Sequence, residues 1–281
     1  MPVKTVNRTG RILVKMFLTS KFGGAEFSQD QLCVNFSKGR FAVADGVTNS
    51  YHPEAMAKAL CQAFVKGHIP VEQWPSQFRE IVHRQVAGIW EEEVAAYEKT
   101  LSGRRLAQER NIREFLPAGA STLAGIAIDA DKQAAYYQII GDSTVFVFDR
   151  EGRFQCFCTN EREQRPDGSE YVVYDNHPQC IVADGRMMGD WLSGEVALPN
   201  DGFIVLLTDA ASEWLQEKSM GDPETVKRLW EIADAKAFSA FVDDCREREM
   251  KMNDDVAVII LKCESSARAK KLRYINMMKQ R

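Results

Sequence analysis

Three short apolar runs constrain this chain more than any other feature, because an aspartate meets each of them where it leaves the core. Phe41–Ala44 runs into Asp45-Gly46, Phe203–Thr208 runs into Asp209, and Asp254-Asp255 opens Val256–Leu261. Runs of this length suit strands buried on both faces, as when two sheets pack together beneath helices. A carboxylate beside such a strand is costly to bury unless something neutralises it. Asp30 likewise precedes Gln31–Phe36, and Gly141-Asp142-Ser143 links two further strand-like segments. Four such groups at one sheet end would repel one another unless a divalent cation sat among them. All-oxygen ligands with no nearby His or Cys favour Mg²⁺ or Mn²⁺ over Zn²⁺. Taken singly, each aspartate also reads as an ordinary turn former or cap.

The rest of the chain supplies the layers. Strand patterns cover Ile12–Leu18, Gln31–Phe36 and Arg40–Ala44. A helix opens at Pro53, with Met56, Leu60, Ala63 and Phe64 on one stripe and Gly67 as its stop. A second helical stretch spans Val71–Thr100, its apolar face made by Trp74, Phe78, Val82, Val86 and Trp90, and Arg104–Phe115 reads as helical again. Strands follow at Ser121–Ile128, Ala134–Ile140, Thr144–Asp149 and Arg153–Cys158, and helices around Ser212–Gln216, Pro223–Asp234 and Ala237–Met250. Between these groups Thr159–Asp201 is polar and reads as irregular, which in a compact domain marks a functional loop or lid. This order predicts one layered α+β domain over residues 1–266, interrupted at 159–201, and a basic tail over 267–281.

Charge narrows the function. With 36 basic and 40 acidic residues the net charge is −4, and six of the bases but no acid lie in 268–281. The body is therefore more acidic than the whole and repels phosphate backbones, which argues against nucleic acid as a partner. The tail reads as a solvated C-terminal helix. Seven cysteines with no CxxC pair and four scattered histidines suit buried reduced thiols better than zinc. No apolar run approaches the ~20 residues a membrane helix needs. Ile12–Leu18 is interrupted by Lys15 and reads as a first strand rather than an export signal. A cytoplasmic protein without membrane contact is expected; the oligomeric state is left open.

In their order these residues resemble the metal-dependent type 2C serine/threonine protein phosphatases. Ser28-Gln29-Asp30 resembles that family's N-E/Q-D element, and Phe41-Ala-Val-Ala-Asp45-Gly46 resembles its F-A-V-x-D-G block. Ala120-Ser121-Thr122 resembles G-S-T, and Gly141-Asp142-Ser143-Thr144 resembles G-D-S-R. Val205–Glu213 resembles the strand ending in S/T-D-G-x-x-D, and Asp254–Val258 the closing D-N-x-T-V. The resemblance implies a four-layer αββα sandwich of two antiparallel sheets flanked by helices, with two divalent cations, Mn²⁺ or Mg²⁺, at one end. It implies that Asp45 bridges both metals, that the Gly46 carbonyl binds one, and that Asp209 and Asp254 complete the first. Asp30 would hold water on the second. A metal-activated hydroxide would then attack phosphorus in line on a phosphorylated serine or threonine of a protein substrate.

The departures are specific. Ala25 stands where the family commonly carries a phosphate-gripping arginine, leaving Lys21, Arg8 or Arg11 as substitutes. Val47-Thr48-Asn49-Ser50 replaces the usual Gly-Gly loop, and Ala210 replaces a glycine. A third metal in the family uses an aspartate at the position of Glu213, which keeps the charge but shifts it by a methylene, and an acid before G-S-T, where Glu114 is nearest; this leaves the third site in question. Residues 159–201 fall where the family places a variable flap, so Arg162, Arg165 and His177 are candidates for substrate contact or simply solvated. These departures keep two alternatives beside an active phosphatase: a catalytically weakened binding or regulatory module, and a small-molecule phosphomonoesterase.

Overall fold

The computed structural model describes residues 8–22, 28–67, 69–100, 118–174, 178–250, 253–266 and 272–278. The first half contains β1 (Arg8–Thr19), β2 (Gln31–Asn35), β3 (Arg40–Ala44), α1 (Pro53–Lys66), α2 (Trp74–Ile81) and α3 (Ala87–Glu98). Then come β4 (Ala120–Ser121), β5 (Leu123–Asp129), β6 (Ala134–Ile140), β7 (Thr144–Phe148) and β8 (Phe154–Phe157). Five short strands follow: β9 (Arg162–Gln164), β10 (Glu170–Val172), β11 (Cys180–Val182), β12 (Met187–Met188) and β13 (Leu192–Ala197). The chain continues through β14 (Phe203–Leu207), α4 (Asp209–Gly221), α5 (Thr225–Glu231), α6 (Ala235–Arg248), β15 (Val256–Ser266) and β16 (Arg273–Asn276).

Two sheets make the sandwich: six strands in the order β16-β1-β15-β14-β7-β8, and five in the order β13-β6-β5-β3-β2. Alternation along each strand sorts its side chains between layers. Ile12, Val14, Phe41, Val43, Ile204, Leu206, Ile259 and Leu261 share the core between the sheets. The opposite faces bury Ala42 and Ala44 with α1 on one side, and Val205, Leu207, Val258 and Ile260 with α4 and α6 on the other. This explains why β14 is apolar at every position. Each fully buried side chain of this size contributes about 1.5–3 kcal/mol.

Helix α1 opens at His52, whose left-handed backbone (φ 56°) turns the chain into Pro53, and closes at Gly67, whose N–H reaches the Ala63 carbonyl. Arg40 donates to the carbonyls of Phe64 (3.0 Å) and Ile69 (2.9 Å), so a cation from β3 meets the negative end of α1. The expected stretch from Val71 to Thr100 forms a 3₁₀ turn, α2, a π turn at Val82–Val86, and α3. Residues four apart drift around a 3.6-residue helix, and the wider π turn absorbs that drift. Val82, Val86 and Trp90 thus stay on one buried face.

Residues 159–201 are not irregular, since β9 to β13 lie there; strands of two to six residues leave too short an alternation to read. Part of the basic tail is not a helix. Arg273–Asn276 pairs in parallel with Arg11–Val14, the one parallel pairing among the described strands, because Leu272 and Tyr274 pack onto the inter-sheet core. The Arg104–Phe115 helix lies outside the described residues.

Candidate active site

The ends of β3 and β14 and the start of β15 open onto one cavity of about 230 Å³, lined by Asp45, Gly46, Val47, Thr48, Asn49, Asp142, Pro178, Asp209 and Asp254. Four carboxylates from separate parts of the chain therefore share its wall.

Asp45 is held through its backbone. Its N–H donates to the Thr122 hydroxyl (3.1 Å), and its carbonyl accepts from Ser121 Oγ (2.8 Å) and the Thr122 N–H (2.9 Å). The Thr122 hydroxyl also meets Ser143 Oγ at 2.6 Å, so the β6–β7 turn is tied to the same point. Gly46 must be glycine because a Cβ there would stand 2.7 Å from the Pro53 backbone at the head of α1. Asp142 sits on that β6–β7 turn after Gly141 (φ 92°) and is 1% exposed, with no hydrogen-bond partner at Oδ1 among the described residues.

Asp209 is the first residue of α4, and its Oδ1 accepts from the Ala210 N–H at 2.6 Å, as an acid at a helix start does. The preceding Thr208 donates its hydroxyl to Asp30 Oδ2 at 2.6 Å, which secures the buried Asp30 behind the cavity. Asp254 Oδ1 accepts from Lys21 Nζ and from the Asp255 N–H, both at 2.8 Å. Asp255, buried, takes the backbone N–H of Lys21 on Oδ1 (2.8 Å) and that of Gln29 on Oδ2 (2.6 Å). It stands where the block it resembles has asparagine, which offers one acceptor where a carboxylate offers two.

Burial is the main reason the cluster resists ionising, and mutual repulsion is the next. It pushes Asp30, Asp142 and Asp209 well above the usual carboxylate range, with the charge of Asp45 adding to all three. Asp45 is pushed up to about 6, by burial first; a hydrogen bond from Asp30 works against the rise and the charges of Asp254 and Asp255 add to it. Burial works against the Lys21 ammonium, but Asp254, Asp255 and Asp30 outweigh it and hold the group above its ordinary value.

Such a donor set fits hard divalent cations: all oxygen, mutually repelling, with one orphaned carboxylate oxygen at the wall. Among the described residues no three of these groups already stand as a finished ligand shell. One oxygen each of Asp30, Asp209 and Asp254 accepts from a protein donor.

Of the other candidates, Glu213 lies one turn further along α4, half-buried, and does not line the cavity. Arg8 and Arg11 lie at the far end of β1, where Arg11 pairs with Glu264 at 2.7 Å. Arg162 donates to the Cys156 carbonyl and Arg165 lies over the Tyr171 ring. Ala25, Glu114 and His177 fall outside the described residues. In the sequence Asp142 stands among the strand-end aspartates and in the Gly-Asp-Ser block without a site role; its signal is the same as for Asp45, an aspartate where a buried strand turns.

Residues 19–244 match the family model of protein phosphatase 2C, and the chain belongs to that family. The matched span ends before Asp254, whose place at the cavity rests on geometry. The Mycobacterium tuberculosis serine/threonine phosphatase PstP/Ppp is similar over 90% of this chain and 99% of its own, at 12% identity and a TM-score of 0.52. The catalytic domain of serine threonine protein phosphatase PstP in complex with two manganese ions is similar over 89% and 98%, at 12% identity and a TM-score of 0.52. PppA, a regulatory component of T6SS in Pseudomonas aeruginosa, is similar over 89% and 98%, at 14% identity and a TM-score of 0.51. At these identities the likeness is one of fold. No curated protein sequence matches the chain. Among the described residues, no helix is long and apolar enough to cross a membrane.

Proposed function

We propose that the chain is a divalent-cation-dependent phosphatase acting on phosphoserine and phosphothreonine in proteins. One observation carries the reading: Asp45, Gly46, Asp209 and Asp254, far apart in sequence, line a single cavity in a protein phosphatase 2C chain. A relative in fold is recorded with two manganese ions, which supports Mn²⁺ or Mg²⁺ as the cofactor here.

Asp45, Asp209, Asp254 and the Gly46 carbonyl would hold two cations, Asp45 serving both. When bound, the cations supply Lewis-acid polarisation of the phosphoryl group and a water acidified enough to attack phosphorus. The chain's own residues do the rest. Asp30, anchored by Thr208, steadies water at the back of the cavity. Asn49 lies at its wall with an amide that can donate to phosphoryl oxygens, whereas the Thr48 hydroxyl is donated to Gln29 Oε1 at 2.9 Å and braces the loop. Lys21, ion-paired with Asp254 of the wall, takes the place of the missing arginine as phosphate grip, as a point charge rather than a bidentate fork. Asp142 adds a further carboxylate to the wall.

The test is Mn²⁺-dependent hydrolysis of an aryl phosphate and of phosphopeptides, with Asp209→Asn as control. Turnover that needs Mn²⁺ and falls at least about a hundredfold in the variant supports the proposal. A rival reading, a binding or regulatory module with weakened chemistry, draws on the unfinished ligand shell. Equal, metal-independent traces of activity in both proteins would favour it. Preference for sugar phosphates or nucleotides over phosphopeptides would favour a small-molecule phosphomonoesterase.

A further inference from the structure

Among the described residues, Lys21 is the one basic side chain ion-paired with a carboxylate of the cavity wall: its Nζ stands 2.8 Å from Asp254 Oδ1. The side chain is 18% exposed, and its root is fixed on both sides. Asp255 Oδ1 takes the Lys21 N–H, and Arg246 Nη1 donates to the Ser20 carbonyl at 3.3 Å. Arg246 Nη2 also donates to the Asp254 carbonyl, so the two halves of the pair are clasped by one buried guanidinium. An ammonium on this oxygen rivals any dication that needs the same carboxylate, by occupancy and by like charge.

Resting on the phosphatase reading above, we propose that Lys21 is a hand-over residue. It closes on Asp254 until that carboxylate is claimed by a divalent cation, and is then released to the phosphoryl oxygens of the substrate. A lysine stem with rotatable donors can make that change while the backbone clasp keeps its pivot in place. The arrangement has two consequences of opposite sign: the ammonium weakens cation binding and strengthens the hold on phosphorylated substrate. A lysine serving stability alone weakens cation binding but leaves the hold on phosphorylated substrate unmoved.

The test uses the full chain as wild type, Lys21→Met, Lys21→Gln and Lys21→Arg. Calorimetry with Mn²⁺ alone reads the first half; KM and kcat on a phosphopeptide at saturating Mn²⁺ read the second. The expected result is Mn²⁺ binding about fivefold tighter in Lys21→Met and Lys21→Gln, the scale of a lost ion pair. Their KM rises more than their kcat falls, while Lys21→Arg stays near wild type in Mn²⁺ affinity. Mn²⁺ binding that is unchanged or weaker in both neutral variants, or an unmoved KM, overturns the hand-over. Wild type that binds Mn²⁺ without turnover overturns the phosphatase reading and the substrate half, and calorimetry alone then decides the cation half. A wild type that binds no Mn²⁺ overturns both.

Discussion

The hydroxyl of Thr208 donates to Asp30 Oδ2 at 2.6 Å and accepts from the backbone N–H of Ala257 at 3.0 Å. One small side chain thus joins the approach to β2, the end of β14 and the start of β15, beside the cavity. The isosteric substitution Thr208→Val removes both bonds without changing the packing. A buried carboxyl and a buried N–H then lose their partner, a cost of about 2 kcal/mol. Urea unfolding should show that loss as a lower midpoint with an unchanged slope, and turnover should fall because Asp30 is no longer anchored.

Gly46 is required by contact. A methyl group there meets the backbone of Pro53 at 2.7–2.8 Å, and backbone cannot yield as a side-chain tip can. Gly46→Ala should cost about 2 kcal/mol by overpacking, measured by urea unfolding. It should also weaken Mn²⁺ binding, since the Gly46 carbonyl moves with the displaced turn.

The acidic cluster sets an unusual dependence on pH. For a carboxyl whose folded value is raised, the folded chain binds more protons than the unfolded chain, so stability falls as pH rises. For Asp45 the window runs from the ordinary 3.8 to about 6, and Asp30, Asp142 and Asp209 act in the same direction. Without divalent cations these groups should therefore lower the melting temperature at pH 7 relative to pH 5. Mn²⁺ should restore more at pH 7 than at pH 5, because proton and metal compete for the same oxygens. Scanning calorimetry at the two pH values, with and without Mn²⁺, checks the sign.

Asp142 gives a sharper version. Among the described residues its Oδ1 has no hydrogen-bond partner, so Asp142→Asn should stabilise the metal-stripped chain, by relieving repulsion with Asp209 and Asp45. Urea unfolding of the metal-stripped variant checks the sign, and a midpoint below that of the wild type contradicts it.

Much of this was legible in the residues themselves. Phe203–Leu207 is too short and too uniformly apolar for anything but a strand buried on both faces, and Asp209 follows it directly. The same pattern exposed Asp45 and Asp254. What stayed hidden depends on distance or on brevity. Lys21 and Asp254 lie 233 residues apart, so their contact leaves no trace in local sequence. Asp142 resembled a turn former because its Gly-Asp-Ser setting suits a turn equally well. Six bases masked the alternation that lets Tyr274 pack inward from β16, and strands as short as Met187–Met188 carry no readable period. The π turn at Val82–Val86 follows from tertiary packing rather than from propensity.

If Asp45, Asp209 and Asp254 together make a two-cation site, a Mn²⁺ titration of the metal-stripped chain will count the ions. The wild type should bind two Mn²⁺, Asp45→Asn should lose both, and Asp209→Asn should lose one. Wild-type stoichiometry and affinity in Asp45→Asn would contradict it.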